Sequence, residues 1–232
     1  MLASVHVADV GARRALGFVR RTPKPTEVSG LRHANVALCA PLSGSLLPPA
    51  ELGRVGLVAF WDDDASLDAF LATHPVAAAL AGGWRLRLDP LRAYGGWPGL
   101  DADVPTSRVT DHDGPAAVLT LGRLRLSQAP RFLRTSAKAE ARAIEAPGMV
   151  WATGLARPPF VATCSIWEST RALSIYAFGH AEPAHSDAID EQQKKEFHHQ
   201  SAFIRFRPYG SEGSLDGKNP LAQNWASAII PS

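Results

Sequence analysis

A repeated series of residue types constrains the fold of this chain more than any other feature of its sequence. In each half, a tryptophan followed by an acidic residue precedes a leucine, an aromatic residue and a histidine at the same intervals. The matching pairs, all at an offset of 106 residues, are Trp61 and Trp167, Leu67 and Leu173, Phe70 and Tyr176, and His74 and His180. Single apolar matches arise easily by chance, whereas an ordered series at constant spacing indicates an internal duplication.

Two shorter matches extend the repeat at other offsets. Residues 17–20 resemble residues 131–134 at an offset of 114, and Tyr94-Gly95 resembles Tyr209-Gly210 at an offset of 115. The changing offset predicts insertions and deletions in loops. The copies also differ in polarity, because the apolar segment 77–80 of the first corresponds to a polar, histidine-containing segment of the second. This asymmetry indicates a scaffold copy followed by a functional copy.

Hydrophobic alternation, helical periodicity and Gly/Pro breakers predict the order β-α-β-β-α-β in each half, with one further helix in the second. In the first half the predicted strands are 3–10, 34–40, 55–61 and 84–89, and the predicted helices are 12–22 and 65–73. In the second half the predicted strands are 116–126, 149–155, 160–167 and 201–207, and the predicted helices are 129–144, 169–178 and 183–196. This order is typical of the ferredoxin-like unit.

A ferredoxin-like unit leaves one face of its sheet bare, and two units in one chain can cover each other. The predicted fold class is therefore α+β, with tandem ferredoxin-like units forming a dimeric-α/β-barrel-like fold within one chain. We assign residues 1–100 to the first unit, 101–115 to a linker, 116–210 to the second unit and 211–232 to an irregular tail. A space between the sheets, or between a sheet and its helices, would be a natural ligand site. Two independent sandwiches with solid cores are the alternative.

Composition and charge exclude several classes of protein. The net charge is +2 and the cations are scattered, which argues against nucleic acid as a partner. No apolar run approaches the roughly 18 residues of a membrane span, although peripheral contact with a membrane stays open. The N-terminus lacks the pattern of a signal peptide, and two cysteines make no disulfide framework, so we expect a cytoplasmic protein. A duplication can replace a homodimer, and the oligomeric state stays open.

The histidines of the second half are the first candidates for chemistry. His185 follows Pro183 in the first turn of a predicted helix, where a neutral imidazole can ligate a metal or simply face solvent. His180 lies five residues earlier, about 140° around a helix, so the two do not form a helical ligand pair. His198 and His199 precede a strand with side chains pointing oppositely, which favours loop or surface roles.

Other candidates lie on the predicted strands. Cys164 could ligate haem as a thiolate, but a lone cysteine in an apolar strand is usually a small buried hydrophobe. Arg205 and Arg207 share one face of the last strand, where they either pair with ligand carboxylates or form the wet face of an edge strand. Trp167 and Tyr176 are expected in the core or in the wall of a cavity.

An ordered set of short segments in the second half carries a family resemblance. The set is 153–155, 158–159, 164–167, 184–189, 203–206 and 213–217. These segments resemble the spheroidene monooxygenase family of carotenoid biosynthesis over roughly residues 150–220. Two positions depart from the family pattern: Pro183 stands one residue further from His185, and Leu215 replaces a tryptophan. The substrate can therefore differ from a long carotenoid.

The resemblance implies a haem-containing oxygenase that introduces a keto group into an apolar substrate with dioxygen and external electrons. It implies haem b with His185 as the iron ligand, His180 and His199 being alternatives, and cofactor contacts from Trp167, Arg205 and Arg207. An electron donor such as ferredoxin would be the partner. Two other functions compete: a dehydratase-type haem enzyme on the same fold, and a ligand-binding barrel without catalytic activity.

Overall fold

The computed structural model describes residues 1–43, 51–178 and 197–222. In these residues the strands are β1 Leu2–Asp9, β2 Leu31–Ala40, β3 Arg54–Trp61, β4 Trp84–Gly95, β5 Ala116–Leu124, β6 Met149–Arg157, β7 Phe160–Trp167 and β8 His198–Gly213. The helices are α1 Ala12–Phe18, α2 Asp64–Thr73, α3 Pro75–Leu80, α4 Ala129–Ile144 and α5 Thr170–Phe178. None of these helices is long and apolar enough to cross a membrane.

The strands form a closed antiparallel barrel in the order β1-β3-β2-β6-β7-β5-β8-β4. Each half contributes four adjacent strands in the same relative order, the fourth, first, third and second of its copy. The halves meet where β2 pairs with β6 and where β4 pairs with β8. The predicted α+β barrel of duplicated ferredoxin-like units is therefore confirmed, whereas the proposed boundaries of the two units stay a prediction.

The two strands at the longer joint run well beyond their predicted ends. β8 reaches Gly213 and β4 reaches Gly95, so part of the expected irregular tail belongs to the barrel. Pro90 is accommodated because the register shifts beside it, as is usual for proline within a sheet. The edge-strand prediction for β8 is wrong, since β8 pairs with both β4 and β5. The helix predicted over 183–196 lies outside the described residues.

The β4–β8 register displays the duplication directly. Asp89 lies opposite Arg207, and their side chains form a 2.6 Å ion pair. The pairs on either side are Arg87 with Gly210, Arg92 with Arg205, Arg85 with Glu212, and Tyr94 with Phe203. With an offset of 118 residues between the copies, the Arg87–Gly210 pair is equivalent to the Arg205–Arg92 pair, and the Arg85–Glu212 pair to the Phe203–Tyr94 pair. The Asp89–Arg207 pair is equivalent to itself. A pseudo-two-fold axis therefore passes through the Asp89–Arg207 pair.

This register corrects one of the sequence matches. At an offset of 118 residues, Tyr94 is equivalent to Glu212, so its similarity to Tyr209 is accidental. Gly95 is instead equivalent to Gly213, and both have positive φ, at 82° and 76°. A Cβ at either position would meet a backbone carbonyl oxygen at 2.3 Å or 2.0 Å. The same steric requirement has thus kept glycine in both copies.

The Trp–aromatic series occupies the same place in each copy. Trp61 contacts Phe70 with ring centroids 5.0 Å apart, and Trp167 stacks on Tyr176 at 4.8 Å. Each indole donates a hydrogen bond to a serine hydroxyl, Ser4 in the first copy and Ser165 in the second. The 106-residue repeat thus corresponds to a packing unit in which a strand-end tryptophan anchors the following helix.

Apolar side chains fill the interior of the barrel. They come from alternate positions of both sheets and include Val5, Val58, Phe60, Leu86, Leu119, Cys164, Ile204 and Phe206. Two aromatic pairs join the halves inside, Trp84 with Trp151 and Trp97 with Phe160. Because the space between the sheets is packed, the ligand site is better sought between a sheet and its helices.

Candidate functional site

Two positions on the helix-facing side of the second sheet have smaller side chains than their equivalents in the first sheet. The matched register shifts of β2 and β6 make Val36 equivalent to Gly154. The Trp repeat makes Leu57 equivalent to Thr163. Val36 and Leu57 are fully buried beneath the first-copy helices, whereas Gly154 and Thr163 are only partly buried. Side-chain volume that fills the first copy is therefore missing from the second.

The first helix of the second copy also buries fewer side chains than the first helix of the first copy. The seven-residue α1 buries Ala15 and Phe18 against the first sheet. The sixteen-residue α4, its counterpart, buries only Ala137. A long helix that buries so little covers the second sheet loosely. We call the region between α4, α5 and the helix-facing side of β5–β8, where the second copy has the smaller side chains, the second-copy crevice.

Arg205 lies on the crevice side of β8 and differs sharply from its first-copy equivalent. Both arginines pair with the first strand of their own copy, Arg87 opposite Ser4 and Arg205 opposite Val118. The Arg87 guanidinium forms ion pairs with Asp64, at 2.6 Å, and with Asp68. Arg205 is 2% exposed, and its Nε and Nη1 atoms have no hydrogen-bond partner among the residues that the structure describes.

The missing partners of Arg205 can be identified from the repeat. At the helix offset of 106 residues, Asp64 and Asp68 correspond to Thr170 and Ser174, which carry no charge. Thr170 is buried, and its Oγ1 atom also has no hydrogen-bond partner. Burial and the cation of Arg92 opposite lower the pKa of Arg205. Within the described residues, the second copy therefore buries a cation without a carboxylate partner, and the helix position equivalent to that partner carries an unsatisfied hydroxyl, an arrangement suited to an anion.

His198 lies at the other end of the β5–β8 pair. Its ring fits against Gly122, where a Cβ would approach within 2.4 Å of the imidazole, and it contacts Phe132 of α4 with centroids 5.3 Å apart. The Nε2 atom is buried without a hydrogen-bond partner, and burial lowers the His198 pKa. His199 is exposed. The expected loop or surface role was thus wrong for His198, and the absence of a side chain at Gly122 was the only sequence signal.

The structure separates the remaining candidates. Arg207 is exposed in its ion pair with Asp89, so it does not accompany Arg205 into the crevice. Trp167 is buried against Tyr176 beside the crevice. Cys164 lies in the barrel interior, where burial, with a smaller effect of Cys39, raises its thiol pKa to about 12. Its side chain is therefore a protonated core residue.

The predicted iron ligand and one of its two alternatives fall outside the part of the chain that the structure describes. His180 and His185 lie outside the described residues. Within the described ranges, no group of three or more His, Cys, Asp or Glu side chains is arranged to hold a metal ion. A single-histidine ligand to haem iron, as implied for His185, would not form such a group.

Comparison with known proteins agrees with the resemblance seen in the sequence. The chain is 32% identical over 171 residues to spheroidene monooxygenase of Rubrivivax gelatinosus, an alignment covering 71% of this chain and 64% of that protein. It is 28% identical over 193 residues to the Rhodobacter capsulatus spheroidene monooxygenase, covering 80% and 79%. These similarities support membership in the spheroidene monooxygenase family. The alignment thus spans just under two thirds of the Rubrivivax member of the family.

Solved structures agree on the fold of this spheroidene monooxygenase-like chain. An aldoxime dehydratase matches with a TM-score of 0.52 at 9% identity, covering 95% of this chain and 86% of that one. At such low identity the likeness concerns the fold alone. No protein-family model matches the chain.

Proposed function

We propose that this chain is a haem-dependent monooxygenase that oxidises an apolar substrate such as a carotenoid, with its haem in the second-copy crevice. The family relatives are named spheroidene monooxygenases. The observation that carries the proposal is the buried Arg205, whose carboxylate partners in the first copy are replaced by Thr170 and Ser174. A ligand that brings its own carboxylate would complete this site.

The residues present fit haem in two respects. Haem carries carboxylate side chains, and a guanidinium with free N–H groups is a strong partner for a carboxylate. A flat apolar ring also needs a sheet face without bulky side chains, which Gly154 and Thr163 provide. Arg205 and Thr170 would hold the carboxylates, and Trp167 would form part of the wall. His185 would ligate the iron, with His180 and His199 as alternatives.

When bound, haem would supply the activation of dioxygen, with electrons from an external donor such as ferredoxin. The protein's own contribution is orientation and exclusion of water. Arg205 would hold a carboxylate of the cofactor, because its buried charge is best satisfied in one position. At the other end Phe132 and Phe197 provide apolar walls. His198, kept neutral by burial, can donate or accept one hydrogen bond at Nε2.

A haem titration of the purified full chain tests the proposal. We expect a Soret band, a changed band in His185→Ala, and at least tenfold weaker haem affinity in Arg205→Met, because one charge-assisted hydrogen-bond pair is worth about 1.5–3 kcal/mol. Arg87→Met, at the equivalent first-copy position, is the matched control and should retain wild-type affinity. No Soret band in any preparation, or equal loss in the two arginine variants, would contradict the assignment.

Turnover separates the proposed activity from its competitors. With haem bound, reductant and an apolar polyene substrate, we expect oxygen consumption and a keto product. A haem-loaded protein without oxygen-dependent turnover would favour the dehydratase-type function instead. A protein that binds apolar ligands without haem would favour the ligand-binding barrel.

A further inference from the structure

The helices above the second sheet expose more large apolar side chains than the helices above the first sheet. Among the described residues, four large hydrophobic side chains of this layer are exposed. They are Leu126 at 63%, Leu133 at 38%, Ile144 at 45% and Ile175 at 56%. The first-copy helices α1, α2 and α3 expose one such residue, Leu16. The excess lies on the copy that contains the crevice.

Three of these side chains form a stripe on and before α4. Leu133, Ala137 and Ile144 follow helical spacing and share one side of α4, and Leu126 lies in the 3-10 turn that precedes the helix. We call this side the α4 stripe. Ala137 is buried, whereas Leu133 and Ile144 are exposed to solvent.

A row of cations lies next to the α4 stripe. Arg134 and Lys138 are exposed, are four residues apart, and each follows a stripe residue by one position, about 100° around the helix. No acidic residue occurs between positions 126 and 139. Glu140, the first acidic residue of α4, is partly buried and accepts a hydrogen bond from the Ser43 amide at 3.4 Å. The exposed polar side of the helix is therefore cationic for three turns.

We propose that the α4 stripe and its adjacent cations dock on an anionic lipid surface. An apolar stripe flanked by Lys and Arg matches the interface of a bilayer, where side chains such as leucine enter the acyl boundary while cations remain among anionic headgroups. A protein partner would need a complementary groove with acidic residues, whereas a bilayer offers both features along its whole surface. Docking would hold the chain on the membrane by the helix that covers the second-copy crevice.

The consequence for substrate depends on the proposed function, but the docking itself does not. If the crevice takes an apolar substrate, docking through α4 places the crevice where such molecules dissolve. Lipid binding can be measured on the full chain without haem. A failure of lipid docking and a failure of haem binding are therefore distinguishable.

Flotation with phosphatidylcholine vesicles, with and without phosphatidylglycerol, tests the docking. We expect binding to the anionic vesicles, weakened about 30-fold in Arg134→Ala/Lys138→Ala, since each cation near such a surface is worth about 1 kcal/mol. Leu133→Ser/Ile144→Ser should weaken binding about tenfold or more, because two partly inserted apolar side chains are lost. These residues are exposed, so thermal unfolding should change little.

The first copy supplies the matched control. Its helix α1 also exposes two arginines and a leucine, so Arg13→Ala/Arg14→Ala and Leu16→Ser remove the same chemistry from the equivalent helix. These variants should bind anionic vesicles like the wild type. Equal loss in both sets, or no binding of the wild type, would overturn the proposal. Concentration-dependent dimerisation abolished by Leu133→Ser/Ile144→Ser would also overturn it, because the stripe would then cover a second copy of the chain.

Discussion

Restoring a carboxylate beside Arg205 should stabilise the protein. Thr170 is equivalent to Asp64, whose carboxylate lies 2.6 Å from the Arg87 guanidinium in the first copy. The change Thr170→Asp would place a charge near two unsatisfied N–H groups of a side chain that is 2% exposed. An uncompensated buried charge costs about 3–5 kcal/mol, and a single carboxylate should recover roughly 2–3 kcal/mol of this.

The measurement is thermal or urea unfolding of the haem-free chain. For a chain of this length the gain corresponds to a melting temperature higher by roughly 5–10 °C. Thr170→Asn is the control, since it has nearly the same shape as aspartate but no charge, and it should give less than half of the gain. The aspartate should also compete with haem carboxylates and weaken haem affinity. If Thr170→Asp is no more stable than Thr170→Asn, Arg205 is not an unneutralised cation and the anion site is wrong.

Two further predictions concern buried histidines. Gly122→Ala should destabilise the fold by about 1–3 kcal/mol, because the new methyl group meets the His198 ring at 2.4 Å, whereas Gly82→Ala, with no atom near its Cβ, should have little effect in the same urea titration. His6 is buried between Arg85 and Arg87, and burial followed by these cations lowers its pKa from 6.5 to about 3. The unfolded chain therefore binds a proton below pH 6.5 that the folded chain excludes, so stability is full above pH 6.5 and falls as the pH decreases toward 3. At pH 5 this histidine should cost about 2 kcal/mol relative to neutral pH, and the cost should be absent in His6→Gln; an unchanged pH dependence in that variant would contradict the assignment.

The position of Arg205 shows why the candidate site was only partly predictable. Alternation along the strand and the family resemblance selected Arg205 correctly as a residue of interest. Its burial was missed because the strand was expected at an edge, and strand order cannot be read from one strand. The loss of its partners was also hidden, since it appears only when the 118-residue offset between Arg87 and Arg205 is combined with the 106-residue offset that relates Asp64 and Asp68 to Thr170 and Ser174.

The residues that open the crevice were missed for a related reason. Gly154 is unremarkable alone and becomes informative beside Val36. That comparison needs the offset of 118 residues, which follows from the matched register shifts in β2 and β6. The match of Tyr94 with Tyr209 failed in the opposite way, because a chance identity three residues out of register resembled a true repeat.

The duplication was determined by the sequence alone, because the interval from a strand-end tryptophan to the next helix is short and tolerates no insertion. The Trp61 and Trp167 series therefore kept one spacing while the loops around it changed. Only the tertiary structure decided which side of each sheet contacts water, helices or the other sheet. That depends on pairing between residues more than 100 positions apart, such as Asp89 and Arg207. The buried cation of the second copy arises from that pairing, because burial and charge compensation are properties of neighbours in space.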